Sequence, residues 1–163
     1  TLTHGPVFDR DLAERSAKDS GAATVTAAGA LVHALNTLAA RRIGFASPSV
    51  AAIHDMAVGF LAESGIETVA RSEVNDVLDN YGQGNLDPQA VFDLGLAADH
   101  PNADAIVLSC TDMRSVEIIA RLEDRLAKPV ISSNQAMMFQ AMQLAGLADS
   151  MPGYGQLLER TRQ

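Results

Sequence analysis

Apolar residues recur along this chain in alternating rhythms, a helical period near 3.6 and short runs of β-prone residues. Pro6 to Ser20 is charged and amphipathic, with Val7, Leu12 and Ala13 as inner positions, and Gly21 closes it as a helix C-cap. Thr26 to Ala40 carries Leu31, Leu35 and Leu38 at the i, i+4, i+7 spacing of a buried helical stripe. Ile43 to Ala46 predicts a strand, Ser47-Pro48-Ser49 a turn, Val50 to Ser64 a helix stopped by Gly65, and Ile66 to Arg71 a second strand. Ser72 to Pro88 is rich in Asn, Asp and Gly; about seventeen such residues make a loop or broken element long enough to carry function.

Pro88 suits the first turn of a helix reaching about His100, and Ala105 to Leu108 is an apolar run suited to a strand buried on both faces. Ser115 to Ala127 predicts a helix with Val116, Ile119 and Leu122 inward. Pro129 to Ser132 predicts a strand, Ser133 to Leu147 a helix, and Ser150 to Gln163 a short helix and a frayed end. Strands separated by helices imply βαβ crossovers, so the fold class is α/β, with a parallel sheet and flanking helices. Ligands in such sheets bind beyond the carboxyl ends of the strands. The loops there are Ser47 to Val50, Ser72 to Pro88, Ser109 to Arg114 and Ser132 to Gln135.

Composition narrows the partners. The 163 residues are 47% hydrophobic but only 4% aromatic, with no Trp, so the core is aliphatic and the chain is long enough to bury one. A formal net charge of -8 disfavours nucleic acid and anionic membrane surfaces. No apolar run reaches the roughly 18 to 20 residues of a membrane span, and Thr1 to Arg10 lacks the order of a signal peptide, so a cytoplasmic protein is expected.

Cys110 is the sharpest chemical feature. It is the single cysteine, and it sits between an apolar strand and a predicted helix whose N-terminus would lower a thiol pKa. Buried filler is the competing reading. His4, His33, His54 and His100 lack metal-ligand spacing, so no metal is expected, and His54 with Asp55 reads as solvated helix surface. No phosphate-binding or nucleophile-elbow motif is present, and Gly82-Gln83-Gly84 is too slight a signal for a nucleotide. Met137, Met138 and Met142 read as packing or interface filler, and Ser132-Ser133-Asn134-Gln135 as a helix cap that also offers short donors.

The run Leu108-Ser109-Cys110-Thr111-Asp112-Met113-Arg114, followed by Lys128-Pro129-Val130-Ile131-Ser132-Ser133-Asn134-Gln135-Ala136, resembles the carboxyl-terminal half of maleate cis-trans isomerases. These belong to the aspartate/glutamate racemase superfamily, together with arylmalonate decarboxylases. Thr24-Val25-Thr26-Ala27 and Arg41-Arg42-Ile43-Gly44-Phe45-Ala46-Ser47-Pro48 resemble the entry to the family's second lobe.

The resemblance implies a cofactor-independent enzyme of two α/β lobes, with one catalytic cysteine from each at an interlobe site. Cys110 matches the second-lobe cysteine, Thr111 and Asp112 match positions that hold a substrate carboxylate, and Asn80, or Asp79 beside it, matches a substrate-contacting Asn. Ser49 stands where the family usually has a carboxylate-binding Tyr. The expected division is the end of the first lobe at 1–23, the second lobe at 24–127, and a return strand and helix to the first lobe at 128–163. A first-lobe cysteine is expected upstream of Thr1. The expected activity is isomerisation of a small dicarboxylate, maleate to fumarate in type, and a homodimer is the expected assembly. The alternatives are decarboxylation of an arylmalonate type, amino-acid racemisation, and a non-catalytic carboxylate-binding lobe. The Asp two residues after Cys110, where racemases typically carry His, weighs against racemisation.

Overall fold

The computed structural model describes residues 2–74, 76–147 and 149–160. After a 3-10 turn at Leu2–His4, the elements are α1 (Gly5–Ser20), α2 (Ala27–Thr37), β1 (Arg42–Ser47), α3 (Ala51–Glu63), β2 (Glu67–Glu73) and α4 (Asn80–Gly84). There follow α5 (Pro88–Ala97), β3 (Ala105–Leu108), α6 (Ile119–Leu126), β4 (Val130–Ser132), α7 (Ser133–Leu144) and α8 (Gln156–Glu159). The expected α/β class holds: four parallel strands lie in the order β2-β1-β3-β4.

Local chemistry starts these helices where the side chains can satisfy free N–H groups. Thr26 Oγ1 accepts from Gly29 N at 3.1 Å before α2, Asp87 Oδ1 accepts from Gln89 N at 2.7 Å before α5, and Ser132 Oγ accepts from Gln135 N at 3.1 Å before α7. Gly21 ends α1 at φ 69, the left-handed conformation that glycine adopts without penalty.

The pleat of the strands then sorts two cores. Ile43, Phe45, Ala105, Val107 and Ile131 face one side with Leu31, Leu35, Phe60 and Leu61. Ala46, Ile106, Leu108 and Val130 face the other with Val91, Leu94, Ile119 and Leu122. Beside the irregularity in the β1–β2 register, Gly44 passes the end of α5 so closely that a Cβ there would stand 2.0 Å from the Ala98 carbonyl oxygen. Only glycine allows β1 that approach.

Some inward positions differ from the periodic reading. Val7 is 60% exposed, and Asp9 is buried instead, because its Oδ2 accepts from Thr26 Oγ1 at 2.8 Å and ties α1 to the start of α2. Val116 is 53% exposed because α6 begins only at Ile119, and the residues before it form turns. The polar stretch from Ser72 is shorter as a loop than predicted, since β2 runs to Glu73 and α4 interrupts the rest. The final short helix is present as α8, and the frayed end at 161–163 lies outside the described residues. Among the described residues no helix is long and apolar enough to cross a membrane.

Candidate active site

Parallel strands end on one edge, so β3 delivers Cys110 to the same rim that receives the loops after β1, β2 and β4. The Cys110 thiol is half-buried, and its Sγ–H donates to Gln83 Oε1 at 3.1 Å. Gln83 Nε2 in turn donates to the Leu78 carbonyl at 3.2 Å, which fixes which end of the amide meets the sulfur. Asp79 builds the element that carries Gln83: its Oδ1 accepts from Gly82 N at 2.7 Å and caps α4. On the other side, Asn134 Nδ2 donates to the Thr111 carbonyl at 3.0 Å and ties the cysteine loop to the start of α7.

Burial pushes the Cys110 thiol above its ordinary value, and the negative charge of Asp112 adds to this. The backbone N–H groups of Asp112 and Met113 point at the sulfur and oppose the rise without cancelling it. The expectation of a depressed thiol pKa is therefore corrected. It assumed a helix N-terminus beside Cys110, but α6 starts only at Ile119, which leaves two turn amides and desolvation in competition. At neutral pH the group is a thiol.

The other residues singled out by sequence lie on the same rim in different settings. Thr111 and Asp112 are exposed and next to the thiol in the chain. Asn80 is exposed at the first position of α4, three residues before Gln83 and so on the helix face that Gln83 shares. Ser49 is half-buried, and its N–H donates to Ser47 Oγ at 3.2 Å. Gln83 itself was missed by sequence reasoning. The available signal was Asp79 followed by Gly82, a cap for a short helix inside a supposed loop.

His54 corrects another expectation. It is fully buried, not solvated, with its ring 4.8 Å from that of Phe45 and its Nδ1–H donating to Glu73 Oε2 at 3.2 Å. Asp55, its neighbour in sequence, points away and pairs with Arg71. Burial lowers the His54 pKa, with Glu73 acting against that. Among the described residues no three His, Cys, Asp or Glu side chains could share a metal ion. An open depression of about 500 Å³ bounded by Arg41, Arg42, Ile66 and Glu67 lies at the amino ends of β1 and β2. That is the opposite edge of the sheet from Cys110, and Arg42 there is held by Asp104 at 2.9 Å.

A profile of the arylmalonate decarboxylase family matches residues 2–158. A maleate isomerase of Geobacillus stearothermophilus is 33% identical over 149 residues, covering 90% of this chain and 59% of that protein. Among solved structures, a liganded mutant of arylmalonate decarboxylase superposes with a TM-score of 0.90 at 26% identity, covering 96% of this chain and 67% of the other. A maleate isomerase from Pseudomonas putida S16, crystallised with maleate, gives a TM-score of 0.88 at 27% identity over 97% of this chain and 65% of the other. The chain thus spans roughly three fifths to two thirds of the length of these relatives.

Proposed function

The chain belongs to the arylmalonate decarboxylase family, in the branch of the aspartate/glutamate racemase superfamily that also holds the maleate isomerases, and from that premise we propose that it serves a cofactor-independent isomerase of a small dicarboxylate. The observation that carries this reading is the half-buried Cys110 at the carboxyl end of β3, whose thiol donates to Gln83 and is approached by the backbone N–H groups of Asp112 and Met113. Its thiol is the acid/base group. In maleate-to-fumarate chemistry the thiolate of a first-lobe cysteine adds to one alkene carbon while the Cys110 proton passes to the neighbouring carbon; the new single bond rotates, Cys110 takes the proton back, and departure of the thiolate restores the double bond in the other geometry. Cys110 manages the proton at the neighbouring carbon, and the site lies between this lobe and a second one.

Asn80, Thr111 and Ser49 offer neutral donors to carboxylate oxygens, which suits a doubly anionic substrate. Ser49 is short for that task, and a bridging water would extend its reach. The carboxylate of Asp112 would repel such a substrate, so its part is played by its backbone N–H. Together with the N–H of Met113 it faces the sulfur and stabilises the thiolate left when the proton departs.

Decarboxylation of an arylmalonate is the second reading, favoured by the match of residues 2–158 to the arylmalonate decarboxylase family, and that reaction needs only one thiol at the reacting carbon. There the bond to one carboxylate breaks, carbon dioxide leaves, and the electron pair enters an enediolate. The Cys110 proton then moves to carbon, and the thiolate recovers a proton from solvent.

Proton NMR of the protein with maleate and, separately, with phenylmalonate distinguishes these outcomes. Fumarate formation supports the isomerase, and loss of carbon dioxide to the arylacetate supports the decarboxylase. No turnover of either, with carboxylate binding retained, leaves a binding lobe and ends the enzymatic proposal.

A further inference from the structure

Gln83 has no role in the chemistry above, yet its side chain accepts a hydrogen bond from the thiol. Three features set its amide. Asp79 caps the helix that bears it, the Leu78 carbonyl takes its Nε2–H, and Gly84 brings α4 against the cysteine loop, where a Cβ at Gly84 would stand 3.6 Å from the Asp112 carbonyl. With the NH2 end engaged by Leu78, the carbonyl end faces Cys110 and can only accept. A carbonyl oxygen that accepts from S–H disfavours the thiolate, whose charge would meet the negative end of the amide dipole.

We propose that Gln83 is the positioning residue that keeps Cys110 protonated and fixes the direction of its S–H, opposing the two turn amides that favour the thiolate. Resting on the reading of Cys110 as the proton-handling group, this makes the thiol an acid that gives up and recovers one proton in each turnover. Proton transfer to substrate breaks the S–H bond and turns Gln83 from a partner into a source of repulsion. The Asp112 and Met113 N–H groups then hold the charge until a proton returns, from the substrate carbon in isomerisation or from solvent in decarboxylation. The charges near the thiol are Asp112 on its own loop and Asp79 at the start of α4, the latter engaged with Gly82 N. On the third flank, α7 presents the neutral Asn134.

The test is the pH dependence of Cys110 alkylation by iodoacetamide in the whole chain, in which it is the single thiol, compared among the wild type, Gln83→Met and Gln83→Glu. Methionine keeps the volume and removes the acceptor, so the alkylation midpoint moves to lower pH. Glutamate adds a negative charge at the same reach, so the midpoint moves to higher pH. Opposite shifts of at least about half a pH unit, roughly threefold in ionisation constant, support the assignment. Shifts of the same sign, or none, overturn it, because a structural role in holding α4 would perturb both variants alike. The readout needs no substrate, so the outcome stands whether or not maleate or phenylmalonate is turned over.

Discussion

Cys110 and Glu123 are two acids in the same half of the molecule, and burial pushes both above their ordinary pKa. Each also receives backbone N–H groups that pull the other way. They differ in where those donors come from. At Cys110 the donors are Asp112 and Met113 of its own turn, and the one distant group, Gln83, accepts from the thiol and does not donate to it. At Glu123, on α6, the donors are Val130 N at 2.9 Å on β4 and Gln156 N at 2.9 Å on α8. Glu123 is 8% exposed, and its carboxyl joins three elements. Similar physics leaves a half-buried thiol in one place and a staple in the other, and solvent access with local donors makes the difference.

The comparison breaks most visibly on Cys110→Ser. Loss of an acid of suitable pKa lowers turnover of the accepted diacid by about 10²–10⁴-fold. Carboxylate binding and the urea midpoint stay near wild type, and full activity in this variant would end the acid/base reading.

Glu123→Ala is the converse test. It strands the buried Val130 N–H at about 1–3 kcal/mol and the part-buried Gln156 N–H at less, so chemical denaturation should report a loss of about 2–4 kcal/mol. Turnover per folded molecule is preserved.

A smaller effect lies in pH dependence. A carboxyl whose folded pKa is raised contributes its full stability below the ordinary carboxylate value and loses it as pH rises through the folded value. Urea midpoints followed upward from pH 4 should therefore fall for the wild type relative to Glu123→Gln, which does not ionise. A constant gap between the two curves would show that Glu123 titrates as an ordinary surface acid.

The smallest effect is expected just beyond, at Ala127, which ends α6 in the left-handed conformation at φ 54 with its N–H on the Glu123 carbonyl. Ala127→Gly relieves that conformation and should raise stability by roughly 0.5–1 kcal/mol, partly offset by the greater freedom of glycine in the unfolded chain. Thermal melting reads it, with no change in turnover.

Much of the fold was legible because it is written in local periodicity and caps. The apolar run Ala105–Leu108 coincides with β3, and Leu31 and Leu35 face the core as their spacing predicts. Legibility failed where a polar group found a distant partner. Asp9 is buried because of Thr26, and His54 because of Glu73 and the Phe45 ring, so amphipathic reasoning misjudged both α1 and α3.

The amino-acid sequence by itself determined the α/β class, the place of Cys110 at the end of a central strand, and the polar character of the loops around it. These follow from side-chain period and strand direction, which neighbouring residues settle among themselves. Only the tertiary structure decided the direction in which the thiol pKa moves and the identity of its partner. Desolvation depends on everything packed around a group, and Gln83 reaches Cys110 across 27 positions of chain. No local pattern encodes a contact of that range.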